Sequence, residues 1–129
     1  MYTQTLVDKL IQDGERLLVE MENADLDPTA VFWFFNPELE TWKLVVSFPA
    51  YDGISTQEAY REMQHLRSRP QPEIAIPLND IALQSSHSPL VGAVRRAVRP
   101  LPTSDRKGFH YIGETVNNQF IGDVYIYRV

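Results

Sequence analysis

Cysteine is absent from all 129 residues, which excludes disulfides, a thiol nucleophile and cysteine-ligated zinc or iron–sulfur centres. Glycine is sparse, with six residues, and none falls in the closely spaced pattern that cradles a phosphate. Histidine is sparser still. His65, His87 and His110 stand far apart in the chain, so neither a metal site nor a cofactor is expected. No His-Glu-x-x-His, Gly-x-Ser-x-Gly or EF-hand loop occurs. Long apolar runs are missing too. Met1 to Glu22 carries acidic residues throughout, without a basic start or a continuous apolar core, so it reads as neither a signal peptide nor a membrane span. The expected location is the cytoplasm.

What is present is the composition of an ordinary globular chain, 43% hydrophobic and 22% charged, of a length that suits one domain over 1–129. The net charge of −5 is unevenly spread. Residues 1–60 hold eleven acidic and three basic side chains, whereas residues 61–107 hold four acidic and eight basic ones. Such a division suits self-association or an anionic ligand, although a solvated surface accounts for it as simply.

The stretch from Ala30 to Pro49 reads as a β-hairpin, two aromatic and β-branched runs around the polar segment Asn36 to Thr41. Val31 to Phe35 is apolar at every position, which predicts a strand covered on both faces. The second run alternates, with Trp42, Leu44, Val46 and Phe48 on one side, and predicts one fully buried face. Ahead of the hairpin, apolar residues at helical spacing predict a helix over about 5–22. Gly14 lies in the middle of its apolar arc and marks a close approach to the sheet or to a bulky ring such as Trp33 or Trp42. Ser55 and Glu58 have capping-box spacing and predict a second helix ending before Pro70. Glu73 to Leu83 reads as one short strand, interrupted at Pro77 and so placed at an edge. Ser88-Pro89 opens a third helix. Finally, Gly108 to Val129 reads as a second hairpin turning at Asn117-Asn118, with Tyr111 opposite Val124 and Phe109 opposite Ile126.

Together these elements predict an α+β fold: an antiparallel sheet of about five strands, two hairpins plus a short edge strand, packed by three helices. The run Phe32 to Val46, the Glu58-Ala59-Tyr60 start of the second helix and the ending Val124 to Arg128 resemble a layout seen among small uncharacterised bacterial proteins. That resemblance spans most of the chain and implies no catalytic motif.

Three groups of residues are candidates for function. His110, Glu114, Asp123 and Tyr125 fall on one face of the second hairpin and offer imidazole, carboxylate and phenol for acid–base work; alternating polar residues also line the solvent face of any antiparallel strand. Arg61, Arg67 and Arg69 on the second helix and Arg95, Arg96 and Arg99 on the third would form an anion-binding patch if the two faces met, with Tyr125 and Tyr127 to stack bases. Against that stands the acidic whole, with a pI of about 5.1. Phe32, Trp33, Phe34 and Phe35, with Trp42, cannot all face one core, so the far side must be covered by a helix or by a second chain in a homodimer. The expectation is a non-catalytic interaction module or small accessory factor that self-associates; the alternative is a nucleic-acid or phosphate binder, and the third is a weak enzyme around His110.

Overall fold

A computed structural model describes residues 8–36, 40–111, 114–116, 119–121 and 123–129, with the backbone alone at residues 36, 111, 114–116 and 119–121. Helix α1 spans Asp8–Asn23, strands β1 and β2 span Ala30–Asn36 and Thr41–Ser47, and helix α2 spans Thr56–Ser68. Strand β3 is Ile81–Leu83 and helix α3 is Pro89–Val98. Four short strands follow: β4 (Phe109–Tyr111), β5 (Glu114–Val116), β6 (Gln119–Ile121) and β7 (Val124–Arg128). Residues 37–39 of the turn expected over Asn36 to Thr41, the turn expected at Asn117-Asn118 and the start expected for α1 lie outside those described.

Both helix starts that the sequence marks are capped as their residues dictate. The Ser55 hydroxyl accepts the Glu58 N–H at 3.1 Å, and the Ser88 hydroxyl accepts the Val91 N–H at 3.2 Å with Pro89 in the first turn. Each hydroxyl satisfies a donor that the helix cannot bond internally.

The five-stranded sheet has the order β3-β2-β1-β7-β4. It is mixed, which corrects the all-antiparallel expectation: β3 runs parallel to β2, pairing Leu44 with Ile81 and Val46 with Leu83. The cause is the connection. The chain leaves β2 and returns through α2, and a crossover carrying a helix brings the next strand back in the same direction. Residues 73–77, expected to begin that strand, form no strand, yet Ile74 and Ile76 are buried in the core. The second hairpin keeps its expected pairs, Phe109 with Ile126 and Tyr111 with Val124 in one sheet and Val116 with Gln119 in another, because β5 and β6 separate into a two-stranded sheet of their own.

Two cores sandwich the five-stranded sheet. On one face, Val31, Trp33, Phe35, Leu44, Val46 and Tyr127 pack with Leu17, Leu18 and Met21 of α1 and with Ala59, Met63 and Leu66 of α2. On the other, Ala30, Phe32, Val45, Val124 and Ile126 pack with Val91, Ala93, Val94 and Val98 of α3. The unbroken apolar run of β1 is thereby explained, since its odd and even residues enter different cores. The expectation of a single buried face for β2 is corrected. Val45 and Ser47 are buried as well, and the Ser47 hydroxyl donates to the Gln84 carbonyl at 2.7 Å.

Candidate functional site

The face of the sheet under α1 carries a file of rings that continues past the helix toward β4. Cross-strand register puts Trp33 of β1 beside Tyr125 of β7, and Tyr125 beside His110 of β4. The ring centroids lie 6.4 Å apart for His110 and Tyr125, 5.5 Å for Tyr125 and Tyr127, 6.4 Å for Trp42 and His110, and 5.3 Å for Phe35 and Trp42. The tilted and edge-on contacts are those favoured by the ring quadrupoles. Burial fades along the file: Trp33 is inside, Tyr125 is half-buried and His110 is exposed.

Tyr127 is the hinge of this arrangement. Its hydroxyl donates to the Ile11 carbonyl at 2.6 Å and accepts the Trp33 indole N–H at 3.0 Å. Burial drives its acidity far below that of an ordinary phenol, an effect the Trp33 bond only partly offsets, so it stays neutral. Gly14 of α1 lies directly over it. A Cβ there would fall 2.7 Å from the ring Cζ, so the close approach marked by Gly14 is to Tyr127 and not to either tryptophan. Tyr127, a base-stacking candidate on the sequence, is instead buried beneath α1.

Beside these rings, between α1 and the β4–β7 end of the sheet, a cleft of about 290 Å³ is lined by Ile11, Gln12, Glu15, Lys107, Gly108, Tyr125 and Tyr127. The Lys107 ammonium meets the Glu15 carboxylate at 2.7 Å. Gly108 turns the chain into β4 at φ 79°, a left-handed conformation that favours glycine, and a Cβ there would make ordinary contact with the Tyr125 hydroxyl at 3.6 Å.

Of the acid–base constellation, the structure brings His110 and Tyr125 together as cross-strand neighbours. Asp123 precedes β7 and its carbonyl accepts the Phe35 N–H at 2.8 Å. Glu114 pairs with Ile121 in the separate two-stranded sheet, and its side chain lies outside the described part. The ring neighbours of His110 are Trp42 and Tyr125.

The arginines do not meet. Helices α2 and α3 pack on opposite faces of the sheet, so the basic patch joining them is corrected to two separate sets. On α2, Arg67 donates to the Ile76 carbonyl at 2.6 Å and Arg69 pairs with Glu20 at 3.7 Å, while Arg61 is exposed. On α3, Arg95 reaches the Ser86 carbonyl at 3.5 Å, and Arg96 and Arg99 are exposed. Among the described residues, no ion pair includes an α3 arginine.

The aromatic interface is corrected as well. Phe32, Trp33, Phe35 and Trp42 are all buried, and Phe34 is half-buried against the α3 core. The cover is the chain's own helices. Only Phe34 keeps part of its ring exposed.

Sequence reasoning passed over Asp13, which is fully buried on α1. Its carboxylate accepts the Ala75 N–H at 2.9 Å and meets Lys9 and Arg16 at 3.1 Å each, while Arg16 also donates to the Pro72 carbonyl. Burial alone would raise its pKa, but these donors and charges outweigh it and hold the carboxyl below its ordinary value. Lys9 and Arg16 stand at helical spacing from Asp13, a legible signal; the bond to a connector some sixty residues away had none.

Among the described residues, no helix is long and apolar enough to cross a membrane, and no cluster of His, Asp and Glu could hold a metal ion. No protein family matches the chain, and neither a curated protein nor a solved structure matches it.

Proposed function

We propose that the protein is a non-catalytic interaction module, working in the cytoplasm, that associates with a protein partner, of which a second copy is the simplest, through the β4 end of its sheet. The observation that carries this reading is the exposed end of the ring file: half-buried Tyr125 on β7 and exposed His110 on the edge strand β4, with the cleft alongside. Aromatic side chains that remain at the surface are the usual anchors of interfaces. Native mass spectrometry tests it. The wild type is expected at twice 14.9 kDa, and His110→Asp with Tyr125→Ser is expected to return it to the monomer; a monomeric wild type that retains no partner overturns the reading.

A second reading rests on α3 alone. Exposed Arg96 and Arg99 lack a carboxylate partner among the described residues, which supports binding of an anionic polymer. Such binding would weaken steeply with added salt and disappear in Arg96→Glu/Arg99→Glu, both read by fluorescence anisotropy with a labelled oligonucleotide.

A further inference from the structure

The opposite end of the sheet is closed by a single side chain. Strand β3 is only three residues long, and its neighbour Gln84 donates its N–H to the Val46 carbonyl of β2 at 3.0 Å. Backbone groups alternate in direction along a strand, so Ala82 and Gln84 face β2 while the Ile81 C=O and the Leu83 N–H point outward; the Ile81 N–H is already taken by the Leu78 carbonyl. Outward groups of this kind are a template on which another strand can form. Here both are occupied. The Tyr60 hydroxyl of α2 donates to the Ile81 carbonyl at 3.1 Å and accepts the Leu83 N–H at 3.2 Å.

The geometry points to a latent pairing surface for a second copy of this chain at the β3 edge, held shut by the Tyr60 hydroxyl. The two groups that Tyr60 engages are self-complementary. If two copies meet antiparallel about a two-fold axis at Ala82, the Leu83 N–H of each faces the Ile81 carbonyl of the other, and two interchain bonds replace the four made by two tyrosines. The pair at the axis would be Ala82 with its own counterpart, whose methyl groups suit the close spacing of a non-hydrogen-bonded pair. Space for the displaced ring is at hand, since an open cavity of about 460 Å³ borders Tyr60, Leu78, Asn79 and Ile81. While Tyr60 holds the edge, β3 adds no strand, and any association through the β4 end stops at a pair instead of growing into a fibre.

Tyr60→Phe tests this because it keeps the ring and removes only the hydroxyl. The chain has no native cysteine, so Ala82→Cys places a single thiol at the proposed axis. In sedimentation velocity over a concentration series, Tyr60→Phe is expected to gain one association step over the wild type. Under mild oxidation, Tyr60→Phe/Ala82→Cys is expected to form a disulfide-linked dimer at least tenfold faster than Ala82→Cys with Tyr60 intact. Identical sedimentation of Tyr60→Phe and wild type, or equal crosslinking with and without the hydroxyl, overturns the proposal. The mass of the wild type tests the β4 reading and the difference made by Tyr60→Phe tests this one, so either can fail alone.

Discussion

Gly14 and Tyr127 show how one missing methyl sets the position of a helix. Alanine is the better helix former by about 1 kcal/mol, yet Gly14→Ala would drive its Cβ into the Tyr127 ring. Overpacking of this kind costs about 1–3 kcal/mol, so a net loss of stability is expected in urea unfolding. Tyr127→Phe removes the atom nearest that Cβ, along with the bonds to Ile11 and Trp33. The double variant should therefore lose less than the sum of the two single ones. Asp13 gives the second expectation at this scale. Its folded pKa is lowered, so its contribution to stability is complete above the unfolded value of about 3.9 and disappears as the pH falls through the folded one. Asp13→Asn should cost about 1–3 kcal/mol at pH 7, with the gap to the wild type narrowing at pH 2; unfolding midpoints at the two pH values check it. A close approach at Gly14 was legible because a glycine in an apolar helical arc weakens the helix and leaves a hollow that a near neighbour must fill. That the ring would be Tyr127 was not, since the residue lies more than a hundred positions away and depends on β7 being inserted beside β1.

Among the elements, those defined by local chemistry were legible and those defined by long-range pairing were less so. Ser55, Glu58, Ser88 and Pro89 carry the helix starts in their own side chains, and the paired register of β4 with β7 follows from counting outward from a turn. The direction of β3 was not visible in its three residues, whose apolar pattern is the same whichever way the strand runs; only the intervening α2 argued for parallel pairing. The split of β5 and β6 from the main sheet left no mark in the alternation. The segment after α3 supplies a further expectation. Arg106 donates to the carbonyls of Leu101 at 3.2 Å, Val129 at 3.2 Å and Arg99 at 3.5 Å, binding the end of α3 to the end of β7. Arg106→Ala should lower stability by about 1–3 kcal/mol, whereas Arg96→Ala, exposed on the same helix, should change it by less than about 0.5 kcal/mol. Thermal melts of the two variants side by side separate structural from surface arginines.

At the scale of the molecule, the division of charge seen in the sequence takes a spatial form. Carboxylates of α1 are met by cations from elsewhere, Glu15 by Lys107, Glu20 by Arg69 and Glu22 by Arg128, so much of the acidic excess goes into holding that helix to the fold. Exposed pairs of this kind contribute about 0–1 kcal/mol each and weaken with salt. Raising the salt should loosen α1 before the sheet, which hydrogen exchange of its amides would report. The candidate sites were only partly legible: cross-strand counting found the His110–Tyr125 pair, but burial of the hairpin rings and separation of the arginines both depend on α3 lying across the sheet from α1 and α2, a three-layer arrangement that no single run of residues announces.

The insertion of β7 between β1 and β4 also bears on how the chain is made. Until residue 124 and those after it leave the ribosome, β1 lacks one neighbour and Tyr127 cannot bond the Ile11 carbonyl that steadies α1. At about 5–20 residues per second, a nascent chain that has already emerged through α3 would wait seconds with an apolar strand edge uncovered, the interval in which a holding chaperone would matter most.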